Sequence, residues 1–219
     1  MYIKALFHGA NKKRSHEMLK TQKMLFSRGK HHWLGDGAYL FEEDFYAFKW
    51  IRDMFEECHH RFPSDKKELL QYYSILQVDV TVPEDRIFDL MKAEHKILYD
   101  RVYSYLEAKK SIEGIAEGTV INYMFNELPG YEEKFDVVRA LFTVNRGRYK
   151  HIQHKTRLGF MPQEQVCIRN NNVVQTIEKY DFSERYDQFN LLLKDYYFEE
   201  NISKEESYSK IRKFGYYQK

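Results

Sequence analysis

Alternation between apolar and polar residues marks the clearest strand of the chain. In residues 74–82, Leu76, Val78 and Val80 alternate with polar residues, and a period of two is typical of a strand with one buried face. Apolar, β-branched and aromatic runs predict further strands at 2–7, 38–41, 137–144 and 165–168. The pattern therefore predicts several strands that are spread over most of the chain.

Apolar residues at spacings of three and four predict the helices. In residues 44–60, the apolar positions from Ala47 to Cys58 follow this spacing, which gives a helix with one apolar face. A second long helix is predicted at 83–109, where Pro83 opens the first turn and apolar residues from 87 to 106 form one face. Further helices are predicted at 15–26, 119–126, 184–197 and 204–212. Because helices do not regularly join consecutive strands, the pattern favours the α+β class.

A glycine turn precedes the short predicted strand at 38–41. Gly35 and Gly37 let the backbone turn tightly and approach a ligand closely, which a side chain would prevent. The turn delivers Tyr39 to the start of the strand. This arrangement suits a ligand site, although the same Gly-x-Gly pattern marks many ordinary turns.

Composition narrows the class of protein. The chain has 219 residues, 43% of them hydrophobic, and a formal net charge of +2, so we expect a sizeable core and not a strongly basic protein. Its two cysteines exclude a disulfide framework. A metal site at 58–60 is not expected, because adjacent side chains point in different directions, and Cys58 is expected to be a core residue. No apolar run approaches the roughly 18 residues of a membrane span, so a cytoplasmic protein is expected.

Three short motifs occur in order along the chain. They are His8-Gly9 at the end of the first predicted strand, the glycine turn with Tyr39, and Glu164 at the start of a late strand. Together they resemble the ADP-ribosyltransferase superfamily in its His-Tyr-Glu branch, to which diphtheria toxin and the poly(ADP-ribose) polymerases belong. The resemblance covers residues 2–178. It implies a split antiparallel β-sheet with flanking helices, NAD in the cleft between the two halves and a catalytic domain at 1–180. The tail at 181–219 lies outside the resemblance, and its two predicted helices indicate a helical C-terminal extension.

The resemblance assigns NAD binding to His8, Gly9, Gly37, Tyr39 and Trp50, and catalysis to Glu164 together with His8 and Tyr39. The backbone of Gly9 would bind the nicotinamide amide, and His8 would bind the adenosine ribose. Tyr39 and Trp50 would stack on the two faces of the nicotinamide ring. Glu164 would bind the 2′-hydroxyl of the nicotinamide ribose, where a carboxylate stabilises the positive charge that develops as the glycosidic bond breaks.

The sequence departs from the resembled pattern at two places. A hydroxyl residue that often contacts nicotinamide in the polymerase-like members is replaced here by Ala47. Glu164 is flanked by Gln163 and Gln165, so a register shift of one residue would put a glutamine in the catalytic position, as in an inactive or unusual enzyme. The site residues also have structural interpretations: core packing for the two aromatic residues, a structural hydrogen bond for the histidine and a solvated charge for Glu164.

Residues 137–163 contain no Asp or Glu but several cations. The acceptor-binding residues that we expect in this segment are Arg146, Arg148, Lys150, Lys155 and Arg157. Cations attract phosphates, and the tyrosine and histidines between them can stack on unpaired bases. In the resembled family the loop before the catalytic strand recognises the acceptor, which slightly favours RNA or DNA over protein. Alternatively, these cations bind the NAD pyrophosphate or form a solvated face.

The resemblance implies a small mono-ADP-ribosyltransferase that cleaves NAD at the nicotinamide glycosidic bond and transfers ADP-ribose to a macromolecule. Bacterial or phage toxins and defence components include such enzymes, and an antitoxin-like protein is then an expected partner. Two alternatives stay open: a non-enzymatic nucleotide- or RNA-binding module, and an NAD glycohydrolase that uses the same site with water as acceptor. Release of nicotinamide separates the binding module from both enzymes.

Overall fold

The computed structural model describes residues 1–29, 32–110, 115–143 and 162–196. Its strands are β1 (Tyr2–Asn11), β2 (Ala38–Phe41), β3 (Tyr73–Val82), β4 (Ile87–Asp89), β5 (Val137–Thr143), β6 (Pro162–Ile168) and β7 (Val174–Tyr180). Its helices are α1 (Lys12–Thr21), α2 (Asp44–His59), α3 (Lys66–Tyr72), α4 (Ala93–Lys110), α5 (Glu117–Glu127), α6 (Tyr131–Lys134) and α7 (Tyr186–Tyr196).

The seven strands form one sheet in the order β4-β5-β6-β2-β1-β3-β7. β4 and β5 are parallel, and every other neighbouring pair is antiparallel. The predicted α+β class is therefore confirmed. The sheet is mixed rather than purely antiparallel, because the connection from β4 to β5 contains helices that return the chain to the same end of the sheet.

Side chains alternate between two faces of this sheet. On the first face, Leu6, Leu40 and Val166 are fully buried against Met18 of α1. On the second face, α2 and α7 cover β1 and β3, and Phe48 of α2 lies in the core of that region. Helices α4 and α5 cover β4, β5 and β6 on the same second face. Each strand of the centre is therefore buried on both sides along part of its length.

The two strands β1 and β2 share a single ladder pair. Their register is set by one residue pair, Phe7 with Phe41. By contrast, ten residue pairs join β1 to β3, and four join β2 to β6. We call the boundary between β1 and β2 the seam, because it divides the sheet into the half β4-β5-β6-β2 and the half β1-β3-β7.

The prediction of a helix at 83–109 is wrong for its first ten residues. Residues 84–86 form a 3-10 turn, 87–89 form β4, and α4 begins at Ala93. Ile87 and Phe88 are buried because β4 pairs with β5 at the edge of the sheet. An apolar run of this length is compatible with a buried strand as well as with a helix, so periodicity alone does not separate the two.

Other differences concern elements and exposure. Helix α3 and strand β7 were not predicted, and β7 carries mostly exposed residues because it lies at an edge of the sheet. Cys58 is exposed rather than part of the core. The predicted helix at 184–197 corresponds to α7, whose Phe189 packs in one core with α2. The helix predicted at 204–212 lies outside the described residues.

Candidate active site

The glycine turn before β2 is held by hydrogen bonds to its own tyrosine. Gly35 and Gly37 have φ angles of +74° and +153°, which a residue with a Cβ rarely adopts. The Tyr39 hydroxyl donates to the Gly35 carbonyl at 2.6 Å and accepts from the Leu34 N–H at 2.8 Å. Ser27 forms a β-bridge with Gly37. Tyr39 therefore anchors the turn through its hydroxyl, a structural role that the sequence did not predict.

Helix α5 and Arg169 fix the other side of the turn. The Asn122 side chain accepts from the Asp36 N–H at 2.7 Å, and Arg169 Nη1 donates to the Asp36 carbonyl at 2.8 Å. Gly118 of α5 lies so close to the turn that an added Cβ would overlap the carbonyl oxygen of His32. The turn is thus a rigid, closely packed element rather than an open loop.

Gly9 and Trp50 meet on the second face of the sheet. A Cβ built at Gly9 would lie 2.7 Å from Cε3 of Trp50 and 2.8 Å from Ile51 Cγ2, so the indole rests directly on the glycine backbone. A flat ring needs about 3.5 Å on each of its faces, and this contact leaves no such space. Trp50 therefore covers the backbone of Gly9, where the resemblance implies contact with the nicotinamide amide, and its side chain is 36% exposed.

His8 bridges the seam from the first face. Its Nδ1 donates to the Tyr39 carbonyl at 2.6 Å, which links β1 to β2 through a side chain. Burial lowers the pKa of His8 to about 4, and Arg14 adds to the decrease, although the hydrogen bond to Tyr39 opposes it. His8 is therefore neutral near pH 7, with its proton on Nδ1.

The stability of the fold is expected to decrease between pH 7.5 and 5 because of His8. Its folded pKa of about 4 lies below its ordinary value of 6.5, so the stabilisation is complete above pH 6.5 and is lost as the pH falls toward 4. Because His8 binds a proton more readily in the unfolded chain, the free energy of unfolding at pH 5 should be about 2 kcal/mol lower than at pH 7.5. Urea unfolding at both pH values measures this loss. His8→Gln should remove most of it, whereas the control His16→Gln, at an exposed position, should not.

A gap opens at the end of β2, because its neighbours are longer. After the residue pairs of Phe41 with Phe7 and Gln165, β1 continues through 2–6 and β6 through 162–164. We call this gap the β2 notch. Its charged and phenolic side chains come from five segments and are Tyr2, Lys4, Glu42, Asp89, Arg139 and Glu164.

Arg139 of β5 is the central cation of the β2 notch. Its Nε donates to a carboxylate oxygen of Glu164, and its Nη1 lies 3.4 Å from Asp89 Oδ2. Its Nη2 lies 3.7 Å from Oε1 of Glu42. The guanidinium also lies 5.4 Å from the ring centre of Tyr2. Arg139 is one of the cations of segment 137–163, and the structure shows it ion-paired within the fold.

The pKa values of the two glutamates of the β2 notch are shifted in opposite directions. Burial raises the pKa of Glu164, Arg139 opposes the rise, and the hydrogen bond and charge of Glu42 add to it, so the pKa lies above the usual range. Burial also raises the pKa of Glu42, but hydrogen bonds from Lys4 and from Glu164 outweigh it and leave the pKa below the usual range. As the pH falls, Glu164 is thus protonated before Glu42.

The expected catalytic set is divided between the two faces of the sheet. Glu164 shares the first face with His8, since it alternates in phase with Val166. Tyr39 lies on the second face, where Cys167 is its cross-strand partner. Gly9, Gly37 and Trp50 meet the second face or the turn beside it. The three motif residues therefore lie on three adjacent strands, but the residues of β6 that share Tyr39's face are Gln163, Gln165 and Cys167.

The remaining predicted site residues lie outside the described ranges, and several residues of the β2 notch were not predicted. Arg146, Arg148, Lys150, Lys155 and Arg157 lie outside the described residues, which end at Thr143 and resume at Pro162 on either side of them. Glu42, Asp89, Lys4 and Tyr2 were not predicted as site residues. Only Glu42 carried a sequence signal, since a charged residue directly follows the apolar strand of the glycine turn.

Across the described ranges, two cavities of about 510 and 420 Å³ lie beside the glycine turn and α4, and neither is lined by Glu164. No group of three or more His, Cys, Asp or Glu side chains in these ranges is arranged to hold a metal ion. None of the helices in the described part of the chain is both long and apolar enough to cross a membrane.

Comparison with known proteins shows a similarity to an archaeal protein. The uncharacterized protein MJ0359 of Methanocaldococcus jannaschii is 39% identical to this chain over 201 residues, which cover 84% of this chain and 90% of the relative. No family model matches the chain, and no solved structure matches it. The extent of this identity shows that the chain belongs to the family of MJ0359.

Proposed function

We propose that this protein is a mono-ADP-ribosyltransferase that uses NAD as co-substrate and Glu164 as its catalytic carboxylate. The observation that carries the proposal is the state of Glu164. Its side chain is 14% exposed, ion-paired to Arg139 and placed two strands from the His8 bridge to Tyr39. A carboxyl group in a sheet that is largely removed from solvent is costly to keep, so a role in chemistry accounts for it well.

The chemistry of NAD cleavage suits this carboxylate. Departure of nicotinamide leaves positive charge on the ribose, and a fixed negative group stabilises that charge as it appears. The stabilisation is larger in a partly desolvated site than in water.

The seam supports an NAD site at the centre of the sheet. A split sheet binds a ligand between its halves, and here β1 and β2 share one residue pair while each is paired more extensively on its other side. His8, Gly9 and Tyr39 border this seam. NAD binding in the proposed orientation requires the Trp50 indole to move off Gly9, after which it stacks on the exposed face of nicotinamide.

A labelled-NAD assay tests the proposal. The protein is incubated with NAD labelled in its adenylate part, alone and with RNA, single-stranded DNA or cell lysate, and free nicotinamide is measured together with the position of the label. We expect nicotinamide release and label on a macromolecule, with nucleic acid slightly favoured over protein. Nicotinamide release without labelled macromolecule identifies an NAD glycohydrolase. No release in any mixture contradicts the proposal.

A second candidate is a nucleotide- or RNA-binding module without catalysis. One observation favours it: the strand β6 presents Gln163 and Gln165, not Glu164, to the face that carries Tyr39. Such a module should bind NAD or RNA and release no nicotinamide. Charge reversal at Arg148, Lys150 and Lys155 should then abolish binding, whereas Glu164→Gln should leave it unchanged.

A further inference from the structure

Glu42 lies beside Glu164 but has no role in the proposed set of NAD-binding residues. It directly follows β2, at the open end of the seam, and its Oε1 lies 3.7 Å from Nη2 of Arg139, the cation that is ion-paired to Glu164. We propose that Glu42 is the general base of the transfer step, accepting the proton of the nucleophile that attacks the ribose. This inference rests on the proposed NAD-cleaving function and adds a second carboxylate to it.

The contacts of Glu42 keep it available as a base. Its Oε1 accepts from Lys4 Nζ at 2.7 Å and from the Tyr2 hydroxyl at 3.4 Å. Lys4 and Arg139 are both cations, so the ionised form of Glu42 is favoured over the protonated one. A general base must be ionised before the reaction, and Glu42 meets that condition.

The position of Glu42 also makes it the more accessible of the two glutamates. Its side chain is 23% exposed, whereas that of Glu164 is 14% exposed. The less exposed carboxyl group, that of Glu164, is suited to contact the ribose. The more exposed one, that of Glu42, is suited to contact an incoming acceptor. Asp89 is less accessible to an acceptor than either glutamate, because its side chain is 8% exposed.

The two carboxyl groups are proposed to have different catalytic roles, as in other enzymes that cleave glycosidic bonds. Pairs of carboxyl groups whose environments push their pKa values apart commonly take different roles, one electrostatic or acidic and one basic. Here the pKa of Glu164 is raised and that of Glu42 is lowered, and both carboxyl groups contact Arg139. Tyr2 and Lys4 on β1, Arg139 on β5 and Asp89 on β4 supply the charged and titratable groups around them.

The proposed step balances without any further reactant. The C1′–N bond of the nicotinamide ribose breaks, and its electron pair neutralises the pyridinium nitrogen, so nicotinamide leaves as a neutral molecule. The acceptor's oxygen or nitrogen forms a bond to C1′, and its proton passes to the Glu42 carboxylate and then to solvent. The products are ADP-ribosylated acceptor, nicotinamide and one proton.

Nucleophiles with and without a proton test this role. Water must lose a proton when it attacks C1′, whereas azide forms ADP-ribosyl azide without losing one. NAD turnover is measured as nicotinamide release in sodium chloride or in sodium azide of equal ionic strength, and the azide product is identified by mass spectrometry. The proteins are the wild type, Glu42→Gln, Glu164→Gln and the control Glu178→Gln, whose position on β7 is exposed and remote from the β2 notch.

We expect Glu42→Gln to hydrolyse NAD about 10²-fold more slowly than the wild type and to recover the wild-type rate in azide. Glu164→Gln should be slow in both salts, and Glu178→Gln should match the wild type. Equal loss in both salts, or no loss in either, would overturn the role of Glu42 while leaving the proposed function in place. A wild type that releases no nicotinamide in either salt would overturn both.

Discussion

Replacing Glu164 with glutamine is expected to lower the rate of nicotinamide release from NAD about 10³-fold, a loss comparable to removal of a principal electrostatic stabiliser of a transition state. Glutamine has nearly the same size and still accepts a hydrogen bond from Arg139. It carries no negative charge, so it cannot stabilise the positive charge on the ribose. The measurement is the initial rate of nicotinamide release at saturating NAD, followed by chromatography.

The same variant separates a catalytic role from a structural one. Glu164→Gln should keep its NAD affinity and its melting temperature within a few degrees of the wild type, because Arg139 retains Asp89 and Glu42 as ionic partners. Glu178→Gln is the matched control at an exposed position. A Glu164→Gln protein that cleaves NAD at the wild-type rate would contradict the assignment. In that case Gln165→Glu, which moves a carboxylate to Tyr39's face, becomes the informative variant.

Replacing Gly118 with alanine is expected to destabilise the fold by about 3 to 5 kcal/mol, at the upper end of effects of overpacking. The added Cβ would overlap the carbonyl oxygen of His32 and lie 2.7 Å from the carbonyl carbon of that residue and 2.9 Å from the Gly35 nitrogen. These are all backbone atoms, so no side-chain rotation relieves the contact. Helix α5 and the glycine turn must move apart, which also disturbs the anchor of Tyr39.

Thermal unfolding by circular dichroism measures this effect, and a decrease in melting temperature of about 10 °C is expected. Two glycines serve as controls. Gly130→Ala places its Cβ in open space but has φ +87°, so it should cost about 1 kcal/mol through the backbone alone. Gly29→Ala meets its nearest neighbour at 3.5 Å and should be nearly neutral. Similar melting temperatures for the Gly118 and Gly29 variants would show that the turn is loosely packed.

The sequence predicted the central strands better than their neighbours. Leu76, Val78 and Val80 alternate cleanly because β3 is buried on one face along its whole length, and β3 was found as predicted. Segment 87–91 was assigned to a helix because its apolar run is short and its strand partner, Val137–Arg139, lies far away in the chain. β7 carries few apolar residues, so no local pattern marks an exposed edge strand.

The β2 notch could not be predicted from local sequence patterns, for a different reason. Tyr2, Glu42, Asp89 and Glu164 lie in four distant parts of the sequence, and only the register of the sheet brings them together. A shift of one residue would send each side chain to the opposite face. The motif residues could be placed on their strands by sequence, but the face that each one occupies could not.

The single residue pair across the seam acts as a pivot for the two halves of the sheet. A ladder of many pairs is stiff because each pair restrains the next, and the ladder of β1 with β3 has ten. Across the seam, Phe7 and Phe41 form one rung, and side chains add the His8–Tyr39 bond and the bonds of Lys4 and Tyr2 to Glu42. Rotation of the two halves would therefore break one backbone rung and these side-chain bonds, while both half-sheets keep their own ladders.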